Sequence, residues 1–395
     1  MKSNCRIILK KEREKPVINF HPWIFSGAVG RIEGQPAEGD IVSVYSSANN
    51  FLSWGFYHEG TIKVRIFSYD PEDPNFDFWS KKLQAAFQAR QVSGLTDNGK
   101  TNAYRLVNAE GDGFPGLIVD IYNDCAVLQF HNTGIFRLRN DIVKILTDLY
   151  GEKLPVIFDK SKDTLKISGK DSIPVNEFLK GNTGETVIAE NGYSFIVNFE
   201  AGQKTGFYLD QRNNRKLIQD YCHSKEVLNA FAYSGGFSVY ALKSGAGMVH
   251  SVDSSQRAVE WMEKNFELNG IHSGYGNYQE DVFDFFKRSD HTFDVIILDP
   301  PAFAKHLSAK NDAARAYQRL NFEALKKLRP GGILFTFSCS QIIDKKLFRQ
   351  IIFAACAQAK RPVRILHQLT QPEDHPVNMY HPEGEYLKGL ALYCE

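Results

Sequence analysis

The sequence lacks the features that mark membrane, secreted and metal-binding proteins. No apolar run among its 395 residues approaches the roughly 20 residues that span a bilayer. The first residues, MKSNCRIILKKEREKP, contain no apolar segment of signal-peptide length. The six cysteines have no paired spacing, which argues against a disulfide framework and a zinc ribbon. We therefore expect a cytoplasmic protein with reduced thiols, no membrane association and no metal.

A strong charge of one sign is also missing. The net charge of +1 gives no overall attraction to nucleic acid, so an RNA partner would have to be bound by a local basic patch. Hydrophobic residues make up 43% and charged residues 24%, as is typical of a soluble globular protein. Because the chain is too long for one ordinary core, we expect two or three domains, and a homodimer stays open.

The first two predicted domains are small. Residues 1–72 predict a β-barrel, because short strand-like runs alternate there with Gly, Pro, Asn and Ser turns. A proline-rich break near residue 72 precedes an α+β domain over residues 73–200, which includes a hairpin turning at Asn191 and Gly192. Within it, residues 160–179 are polar and weakly patterned, which predicts a loop. The strands expected in the barrel span residues 6–9, 41–45, 51–57 and 62–66.

The third predicted domain, residues 201–395, alternates strands and helices to its end. This pattern predicts a parallel, doubly wound α/β sheet. The last two strands, residues 364–369 and 387–394, have no helical pattern between them and should therefore pair antiparallel at one edge. A seven-stranded sheet with this final reversal is the class I fold of the S-adenosylmethionine methyltransferases.

A glycine loop in this domain predicts a nucleoside-containing cofactor. Ser234, Gly235 and Gly236 follow a short apolar strand and precede a helix, where backbone can approach a ligand closely. No third glycine follows in register, which argues against a dinucleotide such as NAD and leaves S-adenosylmethionine. Asp253, at the end of the next strand, is suited to bind ribose hydroxyls. The alternative is that the glycines serve only the turn.

Reacting groups are expected at the ends of the fourth and fifth strands, since ligands of open α/β sheets bind outside the carboxyl ends. Asp299 precedes two prolines that hold its backbone rigidly. Cys339 lies between two serines and is predicted to be a nucleophile. The alternative for Cys339 is a small buried hydrophobe, as Cys356 within an apolar helix is expected to be. The sequence does not show which group makes the thiol a thiolate.

Together these residues resemble the pyrimidine-C5 RNA methyltransferases, and among them the 23S rRNA 5-methylcytosine enzymes with an N-terminal PUA domain. The resemblance covers essentially the whole chain. Its motifs are HPWIFSGAV, YRLVNAEGDGFPGL, TGFYLDQRNNR, AFAYSGGFSV, SVDSSQ, LDPPAF, FSCS and DHPVNMYHPEGEYLKG. It implies that residues 1–72 form a PUA-type RNA-binding barrel, that the middle domain grips RNA and that S-adenosylmethionine is the cofactor.

The resemblance also implies a covalent mechanism. Addition of the Cys339 thiolate to carbon 6 of cytosine would activate carbon 5, and Asp299 would hydrogen-bond ring nitrogen 3. Some relatives release the product with a second cysteine beside the DPP-type motif, but this chain has Pro301, Ala302 and Phe303 there. We expect Asp374 or His375 to serve as the release base instead.

The remaining predicted site residues bind the cofactor or RNA. Asp281 could accept from adenine or merely cap a helix. Asp210 to Arg212 could hold the methionine end of the cofactor, or Asp210 could cap a helix with Arg212 solvated. The cofactor set is Asp210, Gln211, Arg212, Phe231, Tyr233, Ser234, Gly235, Gly236, Asp253, Ser254, Asp281, Asp299 and Pro300. The RNA set is Lys11, Arg13, Trp23 and Phe303, although Trp23 is also expected in the barrel core and the basic cluster could be only a solvated face.

Two other functions stay open. A methyltransferase acting on an exocyclic base amine would also use an Asp-Pro-Pro-aromatic motif, although Phe303 lies one residue further along. An RNA-binding protein could retain the fold without turnover. Loss of methyl transfer in Cys339→Ala would separate the covalent mechanism from the amine chemistry. The target nucleotide and the form of the RNA substrate are not specified by the sequence.

Overall fold

The computed structural model describes residues 2–165, 175–303 and 306–395, which form two compact units. None of the helices in these ranges has the length and apolar character that crossing a membrane requires. The first unit contains the residues up to Ile188, Val197–Leu209 and Glu373–Gly384. The second contains Ala189–Ile196, Asp210–Pro372 and Glu385–Glu395.

The first unit begins with a six-stranded sheet in the order β2-β6-β5-β4-β1-β3. Its strands pair antiparallel except for β1 and β4, which are parallel. The four predicted strands are present, whereas β2 and β3 were missed because they are short and have no alternation of apolar and polar residues. The elements are β1 (Lys2–Leu9), α1 (Lys15–Ile18), β2 (Trp23–Phe25), β3 (Val29–Glu33), β4 (Ile41–Tyr45), β5 (Phe51–Tyr57) and β6 (Ile62–Ser68).

A five-stranded sheet and three helices follow in the same unit. The strand order is β11-β10-β9-β8-β7. The predicted loop over residues 160–179 falls partly outside the described residues, and its end forms β11. The elements are α2 (Phe76–Val92), β7 (Ala103–Asn108), β8 (Leu117–Tyr122), β9 (Cys125–Phe130), α3 (Thr133–Phe136), α4 (Arg139–Tyr150), β10 (Val156–Asp159) and β11 (Glu177–Lys180).

The barrel and this α+β region share one hydrophobic core. Trp79 of α2 is 1% exposed, and its ring lies 4.8 Å from the ring of Phe67 and 5.7 Å from that of Phe114. Side chains from both sides of residue 72 therefore exclude water together. The division into three domains at residues 72 and 200 stays a prediction.

The predicted hairpin is confirmed. Strands β12 (Glu185–Glu190) and β13 (Tyr193–Asn198) pair with each other. Asn191 and Gly192 join them with φ angles of 52° and 88°. Two positive φ values at the turn are what a type I′ hairpin requires, and asparagine and glycine adopt them most readily.

The second unit contains the predicted seven-stranded sheet, in the order β16-β15-β14-β17-β18-β20-β19. The first five strands are parallel, and β20 runs antiparallel to both of its neighbours as expected. The elements are α5 (Arg212–Cys222), β14 (Glu226–Ala230), α6 (Gly236–Lys243), β15 (Met248–Asp253), α7 (Gln256–Leu268), β16 (Tyr275–Gln279), α8 (Val282–Arg288), β17 (Phe293–Leu298), α9 (Lys310–Lys327), β18 (Leu328–Ser338), α10 (Lys345–Ala359), β19 (Val363–Thr370) and β20 (Lys388–Cys394).

A buried ion pair joins the β-hairpin to helix α5 within this unit. Arg215 Nε and Nη2 each donate to a different oxygen of Glu190 at 2.7 Å, and Tyr240 also donates to Glu190. All three side chains are at most 3% exposed. Because a charge that loses its partner inside a protein is costly, the pair depends on both members.

We expect Arg215→Met to destabilise the protein by about 3–5 kcal/mol, since it leaves the Glu190 carboxylate buried without its cation. This loss corresponds to a fall of roughly 10 °C in the midpoint of thermal denaturation, followed by circular dichroism. Arg315→Met is the matched control, because it removes an exposed pair with Asp312 and should change stability by about 0.5 kcal/mol or less. Equal midpoints for the two variants would contradict the expectation.

Candidate active site

The carboxyl ends of the parallel strands meet at one edge of the second unit's sheet. Ala230 of β14 pairs with Val252 of β15 and with Leu298 of β17, and Leu298 pairs with Thr336 of β18. The strands therefore end within two residues of one another. The polar segments that follow them lie together, as the rule for open α/β sheets predicts.

The loop after β14 has an unusual backbone. Phe231, Tyr233 and Gly235 have φ angles of 61°, 46° and 77°. Positive φ is costly for bulky residues such as Phe and Tyr, and it persists where surrounding structure imposes it. Here the Tyr233 N–H donates to Asp253 Oδ2 at 2.8 Å, and Asn265 Nδ2 of α7 donates to the Ser234 carbonyl at 2.7 Å.

The two glycines of this loop are required by close packing. A Cβ at Gly235 would lie 2.5 Å from Met262 Cγ, and one at Gly236 would lie 3.1 Å from Arg215 Cδ. Gly235 precedes helix α6, and Gly236 is its first residue. The loop thus presents backbone rather than side chains at the helix start.

Two acids follow the next strands. Asp253 is half-buried, and each of its oxygens accepts one backbone N–H, Oδ2 from Tyr233 and Oδ1 from Ser255 at 2.9 Å. Each oxygen therefore retains a lone pair for a ligand. Ser254 is exposed. Asp281 is exposed and caps α8 by accepting from two backbone N–H groups, so the capping interpretation is confirmed and its adenine contact stays a prediction.

The three polar residues around the start of α5 are buried. Asp210, Gln211 and Arg212 are 4%, 2% and 2% exposed, so the alternative of a solvated Arg212 is wrong. Gln211, not Asp210, occupies the N-cap position. Tyr386 donates to Asp210 Oδ2 at 2.8 Å and Asn214 donates to Gln211 Oε1 at 2.6 Å.

Tyr317 connects the fourth and fifth strand ends and was not predicted from the sequence. Its hydroxyl, buried in α9, accepts from Ser338 Oγ at 3.0 Å and is hydrogen-bonded by the Phe303 backbone. Burial raises the pKa of Tyr317, and the charges of Cys339 and Asp299 raise it further. Asp299 and Cys339 thus both lie near one neutral phenol. Tyr317 stands in α9 where any buried tyrosine of a helix could stand, so no feature of the sequence distinguishes it.

Cys339 is half-buried in the turn that follows β18. Its neighbours Ser338 and Ser340 are buried, and the Ser340 N–H donates to Ser338 Oγ at 3.3 Å. Cys356 is also half-buried, and burial raises the pKa of its thiol to about 11.

A second missed residue is Lys388, the first residue of β20. Its Nζ donates to the carbonyl oxygens of Ser340 and Ile343, each at 2.6 Å. Burial lowers the pKa of Lys388 to about 8, and the charge of Cys339 partly opposes this lowering. Lys388 pairs with Ser338 in the antiparallel ladder between β20 and β18. The predicted reversal of the last strands could therefore have indicated that the start of β20 lies near Cys339.

The two predicted release bases belong to the first unit. Asp374 and His375 are 0% and 1% exposed. Asp374 Oδ2 accepts from the Arg105 backbone N–H at 3.0 Å, and its Oδ1 lies 2.9 Å from His375 Nδ1. Arg90 donates to the Asp374 carbonyl at 3.0 Å. Their catalytic role stays a prediction.

The predicted RNA-binding residues differ in exposure. Lys11 and Arg13 are exposed. Trp23 is half-buried rather than in the core, so the core expectation is wrong; its Nε1 donates to Glu110 at 2.9 Å. Phe303 is half-buried, with its ring centroid 4.7 Å from that of Tyr317.

Known proteins resemble the chain over nearly its full length. A family model described as S-adenosylmethionine-dependent methyltransferase matches residues 169–382, and a PUA-like domain model matches residues 7–69. Ribosomal RNA large subunit methyltransferase I of Aeromonas salmonicida (strain A449) is 39% identical over 401 residues, which cover 98% of each chain.

Two solved structures share the fold at 25% identity, each over 98% of this chain and 99% of the other. A candidate S-adenosylmethionine-dependent methyltransferase from Streptococcus mutans has a TM-score of 0.84. SMU.776, a candidate methyltransferase solved with S-adenosylhomocysteine, has a TM-score of 0.85. These matches confirm the predicted fold class and S-adenosylmethionine as the cofactor. The chain therefore belongs to the ribosomal RNA large subunit methyltransferase I family of S-adenosylmethionine-dependent methyltransferases.

Proposed function

We propose that the protein forms 5-methylcytosine in large-subunit (23S) ribosomal RNA through a covalent adduct with Cys339. The name of the relative at 39% identity supports the RNA substrate. The chemistry rests on one observation. The half-buried Cys339 thiol and the Asp299 carboxylate follow adjacent parallel strands, and the charge of each raises the pKa of the Tyr317 phenol.

The cofactor is held by the glycine loop and the acids around it. The loop fits a nucleoside with an amino-acid tail, because its backbone is bare at Gly235 and Gly236 and Asp253 keeps lone pairs for ribose hydroxyls. When bound, S-adenosylmethionine supplies an electrophilic methyl group on its sulfonium. The other residues of the proposed cofactor set are Asp210, Gln211, Arg212, Phe231, Tyr233, Ser234, Ser254, Asp281, Asp299 and Pro300.

Cys339 activates the base. Carbon 5 of cytosine is too weak a nucleophile by itself, and addition of the thiolate to carbon 6 forms a carbon–sulfur bond that makes carbon 5 electron-rich. Asp299 takes up a proton as the base binds and donates it to ring nitrogen 3, where negative charge develops, and it recovers this proton when the adduct breaks. After methylation a base removes the proton from carbon 5, and the carbon–sulfur bond breaks to restore the free thiolate.

The release base and the RNA contacts are also part of the proposal. Asp374 and His375 are the candidates for the base, since no thiol stands beside the Asp-Pro-Pro motif. The exposed Lys11 and Arg13 would contact phosphates. Trp23 and Phe303 offer ring faces to bases, and a target base must leave its stack to reach Cys339.

We expect Cys339→Ala to lose methyl transfer to unmodified 23S ribosomal RNA by at least about 1,000-fold, because the nucleophile is gone. Its affinity for S-adenosylhomocysteine, measured by calorimetry, should stay unchanged. The matched control is Cys356→Ala, which removes another half-buried thiol and should keep activity within about twofold.

The position of the methyl group is a separate readout of the same assay. Bisulfite mapping of the product RNA should show a new 5-methylcytosine in the wild type and none in Cys339→Ala. Retained turnover in that variant, or a methyl group on an exocyclic amine, would exclude the covalent mechanism. Cofactor binding by the wild type without transfer to any ribosomal RNA fragment would favour a non-catalytic RNA-binding protein.

We expect Gly235→Ala to weaken S-adenosylhomocysteine binding at least about tenfold. The new Cβ would press on Met262, and the loop would have to move away from its position over α7. Gly270→Ala is the matched control: its φ of +64° carries the same backbone strain, but nothing lies within 4 Å of the new Cβ. Equal affinities of the two variants, measured by calorimetry, would argue against the loop as the cofactor site.

A further inference from the structure

A buried ammonium lies within the turn that carries Cys339. Lys388 is 4% exposed, and its Cα pairs with that of Ser338 in the antiparallel ladder between β20 and β18. Its Nζ donates to the carbonyl oxygens of Ser340 and Ile343. The lysine is therefore bonded directly to the residue after the thiol and paired with the residue before it.

The charge of this ammonium is not neutralised by a direct ion pair in the ranges that the structure covers. The nearby carboxylates of Asp344 and Glu385 raise the pKa of Lys388, and Lys345, which pairs with Glu385 at 2.5 Å, lowers it. Burial has the largest effect and lowers the pKa to about 8, so the side chain is mainly protonated at pH 7. Among the charged groups, Cys339 has the largest effect on the pKa of Lys388, which it raises.

The site needs such a cation. A Cys339 thiolate and the Asp299 carboxylate would each raise the pKa of the buried Tyr317 hydroxyl, so two negative charges would lie near one neutral phenol. Like charges in one site disfavour ionisation, and a nearby cation in a medium of low dielectric constant offsets that effect. Thiolates of reactive cysteines are commonly stabilised by a neighbouring lysine in this way.

We propose that Lys388 is a positioning residue whose ammonium holds Cys339 as a thiolate and whose hydrogen bonds fix the turn that carries it. This inference rests on the proposed covalent mechanism, because that mechanism is what requires a thiolate at Cys339. It explains how a thiol at the end of β18 becomes a nucleophile at neutral pH.

The test compares Lys388→Gln with Lys388→Arg. Both replacements keep N–H donors for the two carbonyls, and only the glutamine removes the charge. The rate of Cys339 alkylation by iodoacetamide is measured against pH by peptide mass spectrometry. In Lys388→Gln we expect alkylation at pH 7 to slow about tenfold and the midpoint of the profile to rise by about one pH unit. In Lys388→Arg the profile should stay near that of the wild type.

Lys160→Gln is the matched control. Lys160 is also buried, donates to the Gly202 carbonyl, and has a pKa that burial lowers to about 8, but it belongs to the first unit. Its replacement should leave the Cys339 profile unchanged. A Lys388→Gln protein that binds S-adenosylhomocysteine normally and shows the wild-type profile would overturn the inference.

The wild-type protein provides a test that needs no variant. Cys339 should be alkylated with a midpoint well below that of Cys356 and below about 8.5, the value of an ordinary thiol. A midpoint at or above that value would overturn the inference even if Lys388→Gln failed to fold. Because alkylation is independent of methyl transfer, failure here is distinguishable from retained turnover in Cys339→Ala, which would contradict the covalent mechanism itself.

Discussion

The register of the seven-stranded sheet is the constraint on which the proposed site depends. Five parallel strands end within a few residues of one another, which brings the glycine loop, Asp253, Asp299 and Cys339 to one edge. The antiparallel return of β20 then begins at the same edge, because a reversed strand starts where its neighbour ends. The first residue of that strand is Lys388, so the direction of β20 places an ammonium against the turn that carries Cys339.

Buried polar groups hold this edge in place. Asp253 binds the Tyr233 N–H, Asn265 binds the Ser234 carbonyl, and the Ser338 hydroxyl donates to Tyr317. Each bond satisfies a group that would otherwise be costly to bury. The loops are therefore bound to neighbouring helices and strands, as pre-organised ligand and reaction sites require.

Much of the architecture was predictable because its patterns are local. The last two strands, expected over residues 364–369 and 387–394, are β19 and β20 and pair antiparallel, and the type I′ turn followed from Asn191 and Gly192. Strands β2 and β3 were missed, since both are short and neither alternates apolar with polar residues. Trp23 was expected in the core because large aromatics usually are, but its indole N–H instead binds Glu110, far away in sequence.

The sequence by itself determined the order of the elements and the glycine loop at Gly235, and it predicts Asp299 and Cys339 as reacting groups, because turns and strand ends depend on neighbouring residues. Tertiary structure alone decided that Arg212 is buried, that Tyr317 connects two strand ends and that Lys388 lies beside the thiol turn. The reason is physical: burial and electrostatic coupling depend on distances between residues that the chain separates by tens of positions, and folding alone brings them together.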